Sequence, residues 1–159
     1  MDFVIRNILY LICVCFLVTL FYSCSNINEK KVSPKLSGRL GSTTISQIQS
    51  AIPVTISRVK PKTKFSSPQE LEVLGPVVQF SDSQRNALLN LLLEDNSYQF
   101  EFTKKCIFYP EFMIRFGADS KVILLFSPSC NQCKFYTSDG GILLDYGPSK
   151  ESFADILSL

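Results

Sequence analysis

Residues 112–136 read FMIRFGADSKVILLFSPSCNQCKFY. Phe112–Phe116 and Val122–Phe126 are short runs of aromatic and aliphatic side chains, the kind that suit a pleated, half-buried surface. Gly117–Ser120 between them is a short polar turn, so the two runs predict an antiparallel hairpin. Cys133–Tyr136 extends the pattern as another strand. Beyond it, Ser138, Asp139, Gly140 and Gly141 form a strong turn signal before Ile142–Leu144. One predicted hairpin and a second strong turn among these strands point to an antiparallel sheet. A parallel sheet would need longer crossovers.

The flanks supply the remaining layers. Upstream, Ile52, Val54 and Ile56 alternate with Pro53, Thr55 and Ser57, which predicts a strand over Ile52–Lys60 with Pro53 at an edge or strand start. Pro61–Pro68 reads as a loop, and Leu71–Phe80 as an extended run broken by Gly75 and Pro76. Ser81 or Ser83 offers a helix cap, and Ala87, Leu88, Leu89, Leu91, Leu92 and Leu93 make a broad apolar stripe, so a helix is expected over about 82–94. Tyr98–Phe102 and Cys106–Phe108 again alternate and read as strands. Pro148 and Ser149 introduce a final helix over Lys150–Leu157. The expected class is α+β: a small antiparallel sheet with one or two helices packed on one face, preceded by an N-terminal hydrophobic helix.

That hydrophobic segment sets the compartment. Ile8–Phe21 is a 14-residue apolar run without a charge, preceded by Arg6. Its length suits the roughly 7–15 residues of a signal-peptide core better than the about 20 of a membrane span. The run exits through Leu20, Phe21, Tyr22, Ser23 and Cys24 into polar residues. This exit resembles the lipobox of bacterial lipoproteins, in which a small residue precedes a cysteine that receives diacylglycerol and becomes the mature N-terminus. Ser23 and Cys24 match. Phe21 stands where leucine is usual, and Tyr22 where a small residue is usual. The resemblance implies a signal peptide over 1–23, lipidation at Cys24 and a membrane anchor on the exported side, in the periplasm or at the cell surface. An uncleaved signal-anchor helix and a plain secretory signal are the alternatives.

Charge is uneven along the chain. Residues 25–64 hold Lys30, Lys31, Lys35, Arg39, Arg58, Lys60, Lys62 and Lys64 against Glu29 alone. Residues 65–159 are acid-rich. The net charge of +2 is too small to suggest nucleic-acid binding. Residues 24–50 are rich in Ser, Thr, Asn, Gly and Lys and read as a flexible basic tether. Its cations could meet anionic headgroups, or simply keep a linker soluble. The α+β domain is then expected over 51–159.

The chain has six cysteines and no histidine. Without histidine there is no imidazole base for serine or cysteine catalysis and no imidazole metal ligand. Cys13 and Cys15 fall in the signal and Cys24 at the lipid site, which leaves Cys106, Cys130 and Cys133. Three is odd, so at most one internal disulfide can form. An exported domain favours such a bond. The Cys130–Cys133 spacing also admits thiol redox chemistry or metal binding. A redox pair wants a helix N-terminus, whereas Lys134–Thr137 favours a strand. A zinc site wants four ligands, and only three thiols are at hand.

Residues 81–136 resemble a group of small bacterial proteins, many of them exported or lipid-anchored. Their pattern is a Leu-rich helix, a Ser-Tyr exit, a Lys-x-Cys-x-Phe-x-Pro element, an Arg-Phe strand and a strand ending in Cys-Phe-Ser-Cys. Here Ser97 and Tyr98 match the exit. Lys104, Cys106, Phe108 and Pro110 match the cysteine-proline element. Arg115 and Phe116 match the next strand, and Ser129 and Cys130 its successor. Ser127 stands where the group has its first cysteine, and Cys133 is additional. The resemblance covers about a third of the chain. It implies a coupled Cys106–Cys130 pair with Cys133 as the extra thiol, and it implies a domain, not a reaction.

Arg115 sits in an apolar strand. Alternation puts Phe112, Ile114 and Phe116 on one face and Met113 and Arg115 on the other. An outward arginine is expected, with an anion or partner contact beside Glu111 or Lys134 as the functional reading. Together these readings describe a lipid-anchored envelope protein carrying a binding or structural module, with no cofactor or metal called for. Its expected partners are the membrane, through the anchor, and an unidentified protein or small molecule. The competing expectation is a thiol-dependent redox or metal-binding protein using Cys130 and Cys133.

Overall fold

The computed structural model describes residues 32–101 and 104–158. The hydrophobic segment, Cys24 and the first part of the expected tether lie outside the described residues, as does Phe102. The class is α+β, built on a six-stranded antiparallel sheet in the order β2-β1-β3-β4-β5-β6. The strands are β1 Val54–Val59, β2 Val73–Gln79, β3 Phe112–Phe116, β4 Val122–Ser127, β5 Gln132–Thr137 and β6 Gly140–Asp145. β3 and β4 form the expected hairpin, in a register that pairs Ile114 with Leu124 and Phe116 with Val122. β4 is buried along its whole length, as befits a central strand. β2 lies at one edge. Its Gly75 has φ +73°, and the register with β1 slips between Ile56 and Arg58. An edge broken in this way is a poor template for further strand addition.

Alternation along each strand gives the sheet two chemically separate faces. Val54, Ile56, Ile114, Phe116, Leu124, Phe126 and Phe135 share one cluster with side chains from the helices. Met113, Ile123 and Leu125 share the other with Val59 and Leu71, flanked by Phe65 and Phe108 from loops. One face is therefore covered by helices and the other by irregular chain.

Among the described residues four helices pack on the first face, not one or two: α1 Pro34–Leu40, α2 Ser42–Ser50, α3 Asp82–Leu92 and α4 Lys150–Leu157. α3 opens on a capping box in which Ser81 and Gln84 bond each other's backbone N–H, satisfying donors that a helix start leaves unpaired. α4 spans the residues that its Pro148 and Ser149 announced.

α1 and α2 correct the tether. Residues 34–40 and 42–50 are helical, and Leu36, Leu40, Ile45 and Ile48 are all buried in the main cluster. Composition suggested a linker because large apolar residues are few there. Their placement overrides their number: the pairs 36/40 and 45/48 each fall on one face of a helical turn, so nearly every apolar atom in the segment finds the core. The folded unit therefore takes in the helices before residue 51 and does not begin at residue 51.

Two expected strands are not strands. Among the described residues of the first, 98–101, only Gln99 makes a bridge, to Asp145. Tyr98 turns inward, and its hydroxyl donates to the Leu92 carbonyl at 3.0 Å. Residues 104–110 have no regular structure. They form a strap across the end of the sheet, fixed by side chains: Lys104 to Asp145 at 2.9 Å, Tyr109 N–H to the Ser127 hydroxyl at 3.0 Å, and Cys106 to Cys130.

Candidate functional site

The strap is where the cysteines resolve. Cys106 and Cys130 lie at disulfide distance, with Cα atoms 6.0 Å apart. Cys133 is apart from them. It points into the helical face of the sheet, fully buried beside Phe126 and Leu144, its cross-strand neighbours. Burial first, and the Asp145 carboxylate second, push the Cys133 thiol far above its ordinary range. A thiol that cannot ionise and cannot be reached is a poor nucleophile and a poor metal ligand. Among the described residues no cluster of three or more Cys, Asp or Glu side chains is placed to hold a metal ion.

Asp145 anchors the same end of the sheet. It is almost fully buried, pairs with the half-exposed Lys104, and accepts the Gly147 N–H at 2.8 Å. Gly147 gives this pair room: a Cβ there would stand 3.0 Å from the Asp145 carboxylate and 3.1 Å from the Lys104 ammonium, so the ion pair would have to shift by a few tenths of an ångström.

Arg115 is half-buried on the face away from the helices, between Thr55 and Ile123 on the neighbouring strands. Neither Glu111 nor Lys134 is its cross-strand neighbour. Lys134 instead sits over the Tyr136 ring at 4.7 Å.

A different set of residues forms the principal groove. It has a volume of about 820 Å³ and opens where α4 crosses the end of the sheet. Arg58 comes from the end of β1 and Phe112 from the start of β3, which are paired in register. The Arg58 guanidinium lies 5.5 Å from the Phe112 ring centroid, an arrangement that attracts a cation to a π-face and limits its wandering. Tyr146 forms the floor. Its ring packs edge-on against Phe126 and Phe153 at 5.4 and 5.0 Å. Burial, helped by nearby Cys133, Glu111 and Asp145, raises its pKa, so it stays a neutral phenol. α4 contributes Lys150, Glu151 and Leu157.

The rim opposite α4 is the turn that carries Pro128 and Asn131. Asn131 has φ 50°, a left-handed conformation that asparagine tolerates better than most residues. Its carbonyl accepts the Tyr146 N–H at 2.8 Å. Cys130 lies in this same turn, so the Cys106–Cys130 link pins one wall of the groove. A smaller cavity, lined by Ile56, Leu74, Pro76 and Val78, shares Arg58, Phe112 and Leu157 with the main one. The groove thus continues along β2 as an apolar strip.

A second cleft of about 750 Å³ lies by Ser67, Lys121, Lys134 and Tyr136. Its cations are already engaged: Lys121 pairs with Asp119 at 3.2 Å, and Lys134 rests on Tyr136.

Sequence reading singled out the cysteines and Arg115 but not Arg58, Phe112 or Lys150 as a group. The pairing of Arg58 with Phe112 depends on β1 lying next to β3, and no local pattern announces that adjacency. No family model, curated protein or solved structure matches the chain.

Proposed function

We propose that the protein is a lipid-anchored component of the cell envelope, held on the exported side through Cys24, and that its α+β domain is a binding module, not an enzyme. The anchor half rests on the resemblance of residues 20–24 to a lipobox. The observation that carries the binding half is the groove beneath α4, which joins two cations to an apolar wall within a volume suited to a small ligand. Such pockets typically span about 300–1,000 Å³ and set a few polar groups into apolar surroundings. The chain has no histidine and Cys133 is buried, so neither an imidazole base nor an accessible thiol serves the groove, and Glu151 is the carboxylate among its lining residues.

Two experiments test the halves separately. In cells fed an alkyne-tagged fatty acid, the native chain should take up the tag and Cys24→Ala should not. Equal labelling of both removes the anchor. For the module, thermal unfolding in the presence of ligands of different classes should show at least one class that raises Tm, with the rise lost in Phe112→Ala. Absence of any such class removes the binding reading.

A further inference from the structure

We infer that the groove beneath α4 binds an amphipathic organic anion, a carboxylate or phosphate head carried on an unbranched apolar tail, with the head between Arg58 and Lys150 and the tail along β2. The inference rests on the binding-module reading and specifies its ligand.

Charge selects the head. Arg58 and Lys150 both line the groove, and Glu151 is the acid among its lining residues. Neither cation has an ion-pair partner among the described residues, whereas Lys60, Lys62, Lys104 and Lys121 each pair with a carboxylate. Arg58 lies over the Phe112 ring, 5.5 Å from its centroid, a contact that leaves its charge unneutralised. A planar guanidinium of this kind matches the two-oxygen edge of a carboxylate or phosphate.

Apolar surface selects the tail. On the helix-covered face, Leu74 stands opposite Arg58 and Val78 opposite Ile56 in the β1–β2 register. The helices stop short of this strand, and Leu74 and Val78 stay 42% and 41% exposed. Together with Pro76, Ile56 and Leu157 they line a narrow cavity of about 120 Å³ continuous with the charged end. A site that is wide and cationic at one end and narrow and apolar at the other fits a ligand with the same polarity. A fully polar anion would leave the strip wet, and a neutral alkane would leave the cations unanswered.

The test uses the full chain in phosphatidylcholine nanodiscs, titrated calorimetrically with octanoate, octyl phosphate and octanol, with empty discs as the blank. One or both anions should bind, and octanol should bind at least tenfold more weakly. The preferred anion separates a carboxylate from a phosphate source. Arg58→Gln combined with Lys150→Gln should weaken the anion at least tenfold. Val78→Asp, which leaves the cations in place, should weaken it too. Lys121→Gln in the second cleft should change nothing. Equal binding of octanol, or full affinity in the double variant, overturns the inference. Loss in Lys121→Gln instead moves the anion to the other cleft and also overturns it. If neither anion binds while another ligand class raises Tm, the class assigned here is wrong and the binding module stands. If nothing binds, both fall.

Discussion

At the scale of single residues, the most informative side chain is Cys133, because its burial has a thermodynamic sign. Its thiol is raised well above the ordinary value of 9.0, by burial first and by Asp145 second. The folded protein therefore keeps this proton after the unfolded chain has released it. The contribution to stability is complete below about pH 9 and falls as pH climbs toward the folded value. Tyr98 and Tyr146 are raised from 10.0, chiefly by burial, and add the same trend one step later. Each such group costs about 1.4 kcal/mol per pH unit once the unfolded form ionises. Urea unfolding between pH 8 and 11 should show a falling midpoint. Cys133→Ala should flatten the fall between pH 9 and 10 and leave the steeper fall above pH 10. A midpoint independent of pH in the native chain would contradict this account. The same burial predicts that iodoacetamide leaves the Cys133 peptide unmodified until denaturant is added, as read by peptide mass spectrometry.

At the scale of elements, α1 and α2 test whether residues 34–50 belong to the fold. Leu36 and Ile48 are completely buried. Leu36→Ala or Ile48→Ala should each cost about 2–5 kcal/mol, the range for emptying a packed aliphatic site. A true tether would lose nothing in a denaturant melt. The strap makes a parallel case. The Cys106–Cys130 link closes 24 residues of chain, and losing it should cost about 3 kcal/mol by loop entropy. Cys106→Ser should also loosen the turn bearing Asn131, so ligand affinity should fall along with stability. The strands from 112 to 144 and the last helix were legible because their patterns are local: alternation, a polar turn, a cap. α1 and α2 were less legible because four apolar residues in a polar stretch signal little until their common face is seen. The strap was misread because Cys106–Phe108 alternates like a strand. Yet it is held by Asp145, Ser127 and Cys130, not by a ladder, and those partners are distant in sequence. The groove was the least legible part. Arg58, Phe112, Asn131 and Lys150 come from four separate elements.

At the scale of the whole molecule, the corrected domain boundary changes what the proposed anchor does. A tether over 24–50 would let the domain roam. With residues 34–50 part of the fold, only residues 25–31 separate Cys24 from the first described residue, Val32. Fully extended, these seven residues reach about 25 Å at roughly 3.6 Å each, less than the length of an average domain away from the bilayer. Lys30 and Lys31 lie at the end of that link, and Lys35 and Arg39 are exposed on the first helix after it. Four cations close to a lipid attachment gain from anionic headgroups, at about 1 kcal/mol for each that reaches the surface. An anchored domain should therefore sit against the membrane with α1 near the headgroups. A fluorophore at Lys35→Cys, in vesicles carrying nitroxide-labelled headgroups, should be strongly quenched. Quenching should increase with anionic lipid and decrease in high salt, because only the charge component is screened. Inserting thirty Gly/Ser residues after Lys31 should reduce it at every salt concentration, since such a chain spreads the domain over a much larger volume. If the insertion leaves quenching unchanged, the short link does not set the domain's position. The cations of α1, or a surface elsewhere on the domain, would then hold it to the bilayer.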